Sequence, residues 1–164
     1  MAQNASNKVQ ITSRNPQKVH ESLLKEPSGT FKPPVPSSSL LPPVKADITS
    51  LPSLTSALEG AQVVVSLVGI LSGSKAQFEE IQWRGVQNVV QAAKDLGIRK
   101  IIHLSAIGAD VESPLDYFRT KALAERELLE SGLDVTILRP SLVFGEGDGF
   151  FQVRECERWA AIKC

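Results

Sequence analysis

The chain has 164 residues, 42% hydrophobic and 22% charged, and its 18 basic and 18 acidic side chains cancel to zero net charge. That length and composition suit one globular domain with a real core, and they exclude a basic nucleic-acid surface and any apolar run of the ~18 residues a membrane span needs. Cys156 and Cys164 both lie in the last nine residues; they support no disulfide framework, and no Cys/His cluster has metal-ligand spacing.

The first twenty residues carry Lys8, Arg14 and Lys18 and no acid before Glu21. Such a segment weakly resembles a transit peptide, but Val9 to Ser13 alternates like a short strand and is read as part of the fold. Asn15-Pro16 starts a helix, with Val19, Leu23 and Leu24 at helical spacing. Residues 26–43 (EPSGTFKPPVPSSSLLPP) are too rich in Pro, Ser and Gly for helix or ladder, which predicts a long exposed loop. Val44 to Ile48 is a second strand, ending at Asp47. A short helix spans 50–58, capped by Thr49 or Ser50 and stopped by Gly60.

Val63 to Gly69 (VVVSLVG) is nearly continuous apolar sequence, which predicts a strand buried on both faces. A long helix over 75–96 follows. Its inner stripe is Phe78, Ile81, Val86, Val89, Val90 and Ala93, and Gly97 ends it. Lys100 to Ala106 is the next buried strand. Asp116 to Ser131 is a helix stopped by Gly132, and Val135 to Leu138 is a second buried strand, running into Arg139-Pro140-Ser141. The alternation predicts an α/β, Rossmann-like, doubly wound parallel sheet. Ligands of such sheets bind beyond the carboxyl ends of the strands, where Ser66, Gly69, Ser105 and Ser141 fall.

Tyr117 and Lys121 are four apart and share a helix face. An ammonium beside a phenol favours the phenolate, so such a tyrosine can pass a proton to or from a substrate oxygen. Ser105, ending the preceding strand, would orient that oxygen. The catalytic candidates are therefore Ser105, Tyr117 and Lys121, although a Tyr and a Lys on a solvated helix surface have the same spacing.

Cofactor candidates gather at the other strand ends. Arg14 stands where an arginine accommodates the extra phosphate of NADP; a solvated arginine is the second reading. Asp47, with Ile48 beside it, stands where an acid faces an adenine amino group; its second reading is a cap before Ser50. Ser66, Leu67, Val68 and Gly69 follow the third strand, and Gly69 admits close backbone approach. Lys121, Pro140 and Ser141 complete the set. Gly85 is read as a close-packing position. His20 and His103 have no evident partners, and His103 is read as a strand residue facing a helix.

Joined, these motifs resemble the site of short-chain dehydrogenases/reductases. They are closest to an atypical or extended branch: the family of the NAD(P)-binding accessory subunit of mitochondrial complex I, with a related coenzyme Q biosynthesis protein. The stretches that carry the resemblance are VVVSLVGIL (63–71), FEEIQWRGVQNVVQAA (78–93), KIIHLSAIGAD (100–110), YFRTKALAE (117–125) and ILRPSLVFGEGDGFF (137–151). The resemblance implies a nicotinamide dinucleotide cofactor, NADP(H) in preference to NAD(H), with Lys121 on the nicotinamide ribose. It implies a matrix-side, inner-membrane location. It implies partners among complex I subunits or a quinone-biosynthesis assembly, with peripheral association with the membrane, and no nucleic acid.

The sequence departs from that pattern at both ends. The family opens with a strand and a Gly-rich turn that cradles the pyrophosphate at a helix N-terminus. Here Met1 to Asn7 reads as the end of the first helix, so the first strand and its turn are lacking. In the order 3-2-1-4-5-6 that strand is central, and its loss should leave two inner edges unpaired. Residues 152–164 resemble nothing in the family. The expected organisation is a partial NAD(P)-binding domain over 1–151 with a non-family tail over 152–164, truncated at both ends and binding cofactor poorly or not at all. Three functions follow: a structural or assembly role in respiratory-chain or ubiquinone metabolism, an active NADPH-dependent reductase or epimerase, or a cofactor-free fragment.

Overall fold

The computed structural model describes residues 7–24 and 39–143. In chain order these form β1 (Thr12–Ser13), α1 (Pro16–Leu24), β2 (Val44–Lys45), α2 (Leu51–Leu58), β3 (Val63–Ser66), α3 (Lys75–Phe78), a π-helical segment (Glu79–Arg84), α4 (Gly85–Asp95), β4 (Lys100–Leu104), α5 (Asp116–Glu130) and β5 (Asp134–Leu138). Residues 144–164, with both cysteines, lie outside the described residues, as do most of the Pro/Ser-rich segment and residues 1–6.

The strands form two parallel sheets, β1–β2 and β3–β4–β5. Among the described residues no strand joins β1 to β3. This is an α/β Rossmann-like pattern, and among the described residues the facing edges of β1 and β3 have no paired strand, as the expected strand order predicted. The loop expectation needs a correction at its end. Ser39 and Leu40 are buried, and Val9 donates to the Ser39 carbonyl at 2.8 Å while Leu41 donates back to Val9. The apolar Leu40 draws this stretch against the first strand.

The core lies on one face of the three-stranded sheet. Val64 and Ile101 pack with Leu54 and Ala57 of α2, Val86, Val89 and Val90 of α4, and Ala124 and Leu128 of α5. The opposite face is open among the described residues: Val63 is 42% exposed and Val65 38%. The predicted two-sided burial of β3 is therefore corrected to one-sided burial, and β5 is likewise half exposed. A run of valines meets the needs of either environment, so composition alone did not separate them.

The helix signals are seen in the structure. Ser74 forms a capping box with Gln77: its Oγ accepts from the Gln77 N–H, and its own N–H donates to Gln77 Oε1. Gly60, Gly97 and Gly132 follow their helices with φ of +76°, +70° and +77°, the left-handed turn that glycine makes at least cost. The single helix expected over 75–96 contains the π-helical segment, a feature that helical spacing does not reveal. Gly85 packs as read: a Cβ there would meet Ile48 Cγ1 at 2.9 Å. Asn88 Nδ2 also donates to the Ile48 carbonyl at 3.0 Å. Through Ile48, α4 ties the β1–β2 sheet to the rest.

Candidate cofactor and active site

The carboxyl ends of β1, β2 and β3 open into one groove of about 490 Å³, walled by Ser13, Arg14, Asp47, Ile48 and the backbone stretch Ser66 to Ile70. The structure thus brings together seven of the cofactor candidates: Arg14, Asp47, Ile48, Ser66, Leu67, Val68 and Gly69. Asp47 is engaged locally. Its Oδ1 accepts from the Thr49 N–H at 3.0 Å and from the Thr49 hydroxyl at 2.9 Å. These bonds, with a smaller effect from Arg14, hold its carboxyl below the usual range. Asp47 thus closes a turn onto Thr49 just ahead of α2, and its carboxylate still borders the groove. Ser50 is the N-cap of α2 by backbone geometry, without a side-chain bond.

At the Gly69 end the groove meets the second group of residues. A Cβ on Gly69 would stand 3.2 Å from Gln82 Oε1 and 3.3 Å from Lys121 Nζ. Lys121 is buried, and its Nζ donates to the Leu104 carbonyl at 2.8 Å, one residue before Ser105. Burial lowers its pKa, opposed by the nearby Glu125. Ser105 is buried; its N–H bonds the Leu138 carbonyl at 2.7 Å, while its Oγ has no partner among the described residues. Tyr117, one turn before Lys121, is half buried, edge-on to Phe78 at 6.3 Å and to Phe118 at 5.2 Å between ring centres. Pro140 accepts from the Ile107 N–H at 3.0 Å, and Ser141 is exposed; neither lines the groove.

Three polar features escaped the sequence reading. Gln82, in the π-helical segment, is buried; its Nε2 donates to Thr120 Oγ1 at 3.1 Å, and its Oε1 has no partner among the described residues. The available signal was a polar residue inside an apolar stripe, between Phe78 and Val86. His103 does have a partner, contrary to expectation: its Nδ1 lies 3.3 Å from Ser66 Oγ. Burial, and secondarily the charge of Lys121, lower its pKa to about 4, with Glu125 opposing. Glu125 in turn is clasped by Arg139, whose Nε stands 2.9 and 3.1 Å from the two carboxylate oxygens.

These features test the site against a dinucleotide. Buried polar atoms without partners call for a ligand or water to satisfy them, and Ser105 Oγ and Gln82 Oε1 are two such atoms. Gly69 leaves open a space that a side chain would fill. The residues present suit the nicotinamide–ribose and adenosine portions. No glycine-rich turn at a helix N-terminus is found among the described residues, so the pyrophosphate has no cradle there.

Comparisons with known proteins agree. The chain is 31% identical over 108 residues to the rat protein named NADH dehydrogenase [ubiquinone] 1 alpha subcomplex subunit 9, mitochondrial, covering 65% of this chain and 29% of the relative. It is 30% identical over 124 residues to sterol demethylase protein B of Methylococcus capsulatus, covering 62% of this chain and 38% of the relative. The chain thus spans well under half of either relative. Among solved structures it matches a putative NAD-dependent epimerase/dehydratase from Bacillus halodurans, with a TM-score of 0.69, 22% identity, and coverage of 90% of this chain and 65% of the other. It also matches a Citrobacter triphenylmethane reductase complexed with NADP(H), with a TM-score of 0.57, 18% identity, and coverage of 81% and 49%. These two likenesses concern the fold. A family model described as NAD(P)H-binding matches residues 2–154, and the chain belongs to that family.

Proposed function

We propose that this chain is a nicotinamide-dinucleotide domain with a structural or assembly role in mitochondrial respiratory-chain or ubiquinone metabolism. The observation that carries the cofactor reading is the groove at the ends of β1, β2 and β3, with Lys121 at its Gly69 end. Arg14 lies in that wall and favours NADP(H) over NAD(H) by offering a cation to a 2′-phosphate. Lys121 would hold the nicotinamide ribose, and Asp47 would face the adenine. The respiratory and mitochondrial parts rest on relatives named as mitochondrial NADH dehydrogenase subunits. On this reading the chain sits on the matrix side of the inner membrane, beside such subunits.

A second reading is favoured by one observation: the buried, unpartnered Ser105 Oγ next to the Lys121–Leu104 bond. In that reading the chain is a reductase or epimerase. A bound nicotinamide supplies or accepts hydride. Tyr117 passes a proton to the substrate oxygen when hydride is supplied and takes one from it when hydride is accepted, and Ser105 orients that oxygen.

Titration with NADPH and NADH, followed by turnover assays on quinone and carbonyl substrates, tests both. Tighter binding of NADPH without turnover is the expected result. Turnover that disappears in Tyr117→Phe would establish the second reading. No binding of either nucleotide at millimolar concentration would overturn both.

A further inference from the structure

We propose that Glu125 is a positioning residue for the nucleotide groove: its buried carboxylate is the counter-charge that keeps Lys121 an ammonium, and Arg139 fixes that carboxylate in place. The consequence for function rests on the cofactor reading above, in which a charged Lys121 holds the ribose; a charged donor makes the stronger hydrogen bond.

Tyr117, Lys121 and Glu125 follow one another at four-residue spacing along α5, so the phenol, the ammonium and the carboxylate share one face of that helix. Lys121 and Glu125 are each 4% exposed, and with His103 they are the buried ionisable side chains among the described residues. A buried ammonium tends to lose its proton unless a negative charge compensates for the lost water. The Lys121 Nζ has three protons to donate, and the Leu104 carbonyl accepts one of them. Its other neighbours supply no negative charge: Gly69 and Gln82 on one side, and the neutral His103 of β4 on another. Asp116 and Glu127, elsewhere on α5, are engaged with Arg119 and Trp83. Glu125 is thus the buried anion available to Lys121, and its charge opposes the downward pull of burial on the lysine's pKa.

Arg139 holds that carboxylate from the far side. Its Nε stands 2.9 and 3.1 Å from the two Glu125 oxygens, and its Nη2 bonds Glu125 as well. The Arg139 side chain is 50% exposed, so water screens its charge, whereas Glu125 acts on Lys121 through the interior. A purely structural clasp between α5 and the end of β5 would use the same bonds but leave the Lys121 charge indifferent to Glu125.

The test follows the Lys121 Cε resonance of the ¹³C-labelled whole chain without cofactor, assigned by its loss in Lys121→Met, so the outcome does not depend on nucleotide binding. Glu125→Gln keeps the side chain's shape and an acceptor for Arg139 but removes the charge; it should lower the Lys121 pKa by about one unit or more. Glu125→Asp, which keeps the charge, should restore at least half of that fall. In the unaltered chain the Cε signal should step as the Glu125 carboxyl takes up its proton, followed at its own Cδ, which keeps the test decisive if the glutamine variant does not fold. NADPH affinity should fall with rising pH about one unit earlier in Glu125→Gln than in the parent. Cε shifts as predicted with no NADPH binding would overturn the cofactor reading, and the positioning role with it, while leaving the Lys121–Glu125 coupling in place. A Lys121 pKa unchanged in Glu125→Gln, an equal fall in Glu125→Asp, or a Cε signal blind to Glu125 protonation would overturn the proposal itself.

Discussion

Lys121 Nζ donates a 2.8 Å hydrogen bond to the Leu104 carbonyl and stands beside Gly69, so a single cation links the ends of β3 and β4. Lys121→Met should weaken nucleotide binding about tenfold or more, the loss expected for a charged hydrogen bond, as read by calorimetric titration. Burial lowers the lysine's pKa. The unfolded chain therefore binds the extra proton between the folded value and the free value, and stability rises with pH across that window. The methionine variant should lose this rise in stability.

His103 gives the opposite end of the pH scale. Its folded pKa is about 4 against 6.5 when free, so it is neutral in the fold and charges on unfolding. Its contribution is present above pH ~6.5 and is lost as pH falls to about 4, by about 3 kcal/mol at most. Urea denaturation of His103→Gln across this range should show a flatter profile than the parent. In Lys121→Met the His103 pKa should move upward, which a histidine NMR titration reads directly.

Glu125 is 4% exposed and held by Arg139. Arg139→Met should cost about 1–3 kcal/mol by leaving a buried carboxylate unpaired. Adding Glu125→Gln should recover part of that loss, and denaturation of the two single variants and the double variant measures the coupling.

Gly69→Ala should leave the melting temperature nearly unchanged but reduce nucleotide affinity several-fold, because its Cβ presses on Gln82 Oε1 and Lys121 Nζ at 3.2 and 3.3 Å, where flexible ends yield. Gly85→Ala should behave differently. Its Cβ meets the branched Ile48 at 2.9 and 3.0 Å, and overpacking should cost about 1–2 kcal/mol despite alanine's better helix propensity. Thermal melts of both variants separate a ligand-facing glycine from a packing one.

The sequence announced its elements through local chemistry. Pro16 opened a helix, Gly97 and Gly132 closed two, and the valines of β3 marked a strand. The separation of β1 from β3 was legible too, because the family resemblance supplied the strand order. Three features were not legible. The open face of Val63 and Val65 depends on which helices cover the sheet, not on the strand's own residues. The π-helical segment at Glu79–Arg84 turns Gln82 inward and leaves Ile81 only partly buried, a shift that apolar spacing does not encode. The His103–Ser66 and Glu125–Arg139 contacts join residues far apart in sequence, through side chains that any surface could carry.

The most direct measurement of the central claim is an amide ¹H–¹⁵N titration of the whole chain with NADPH up to millimolar concentration. The account predicts saturable shifts concentrated at Arg14, Asp47 and Ser66 to Gly69, with Lys121→Met weakening them. Shifts confined to the outer surface of α5, or no saturable shift at any of these residues, would contradict it.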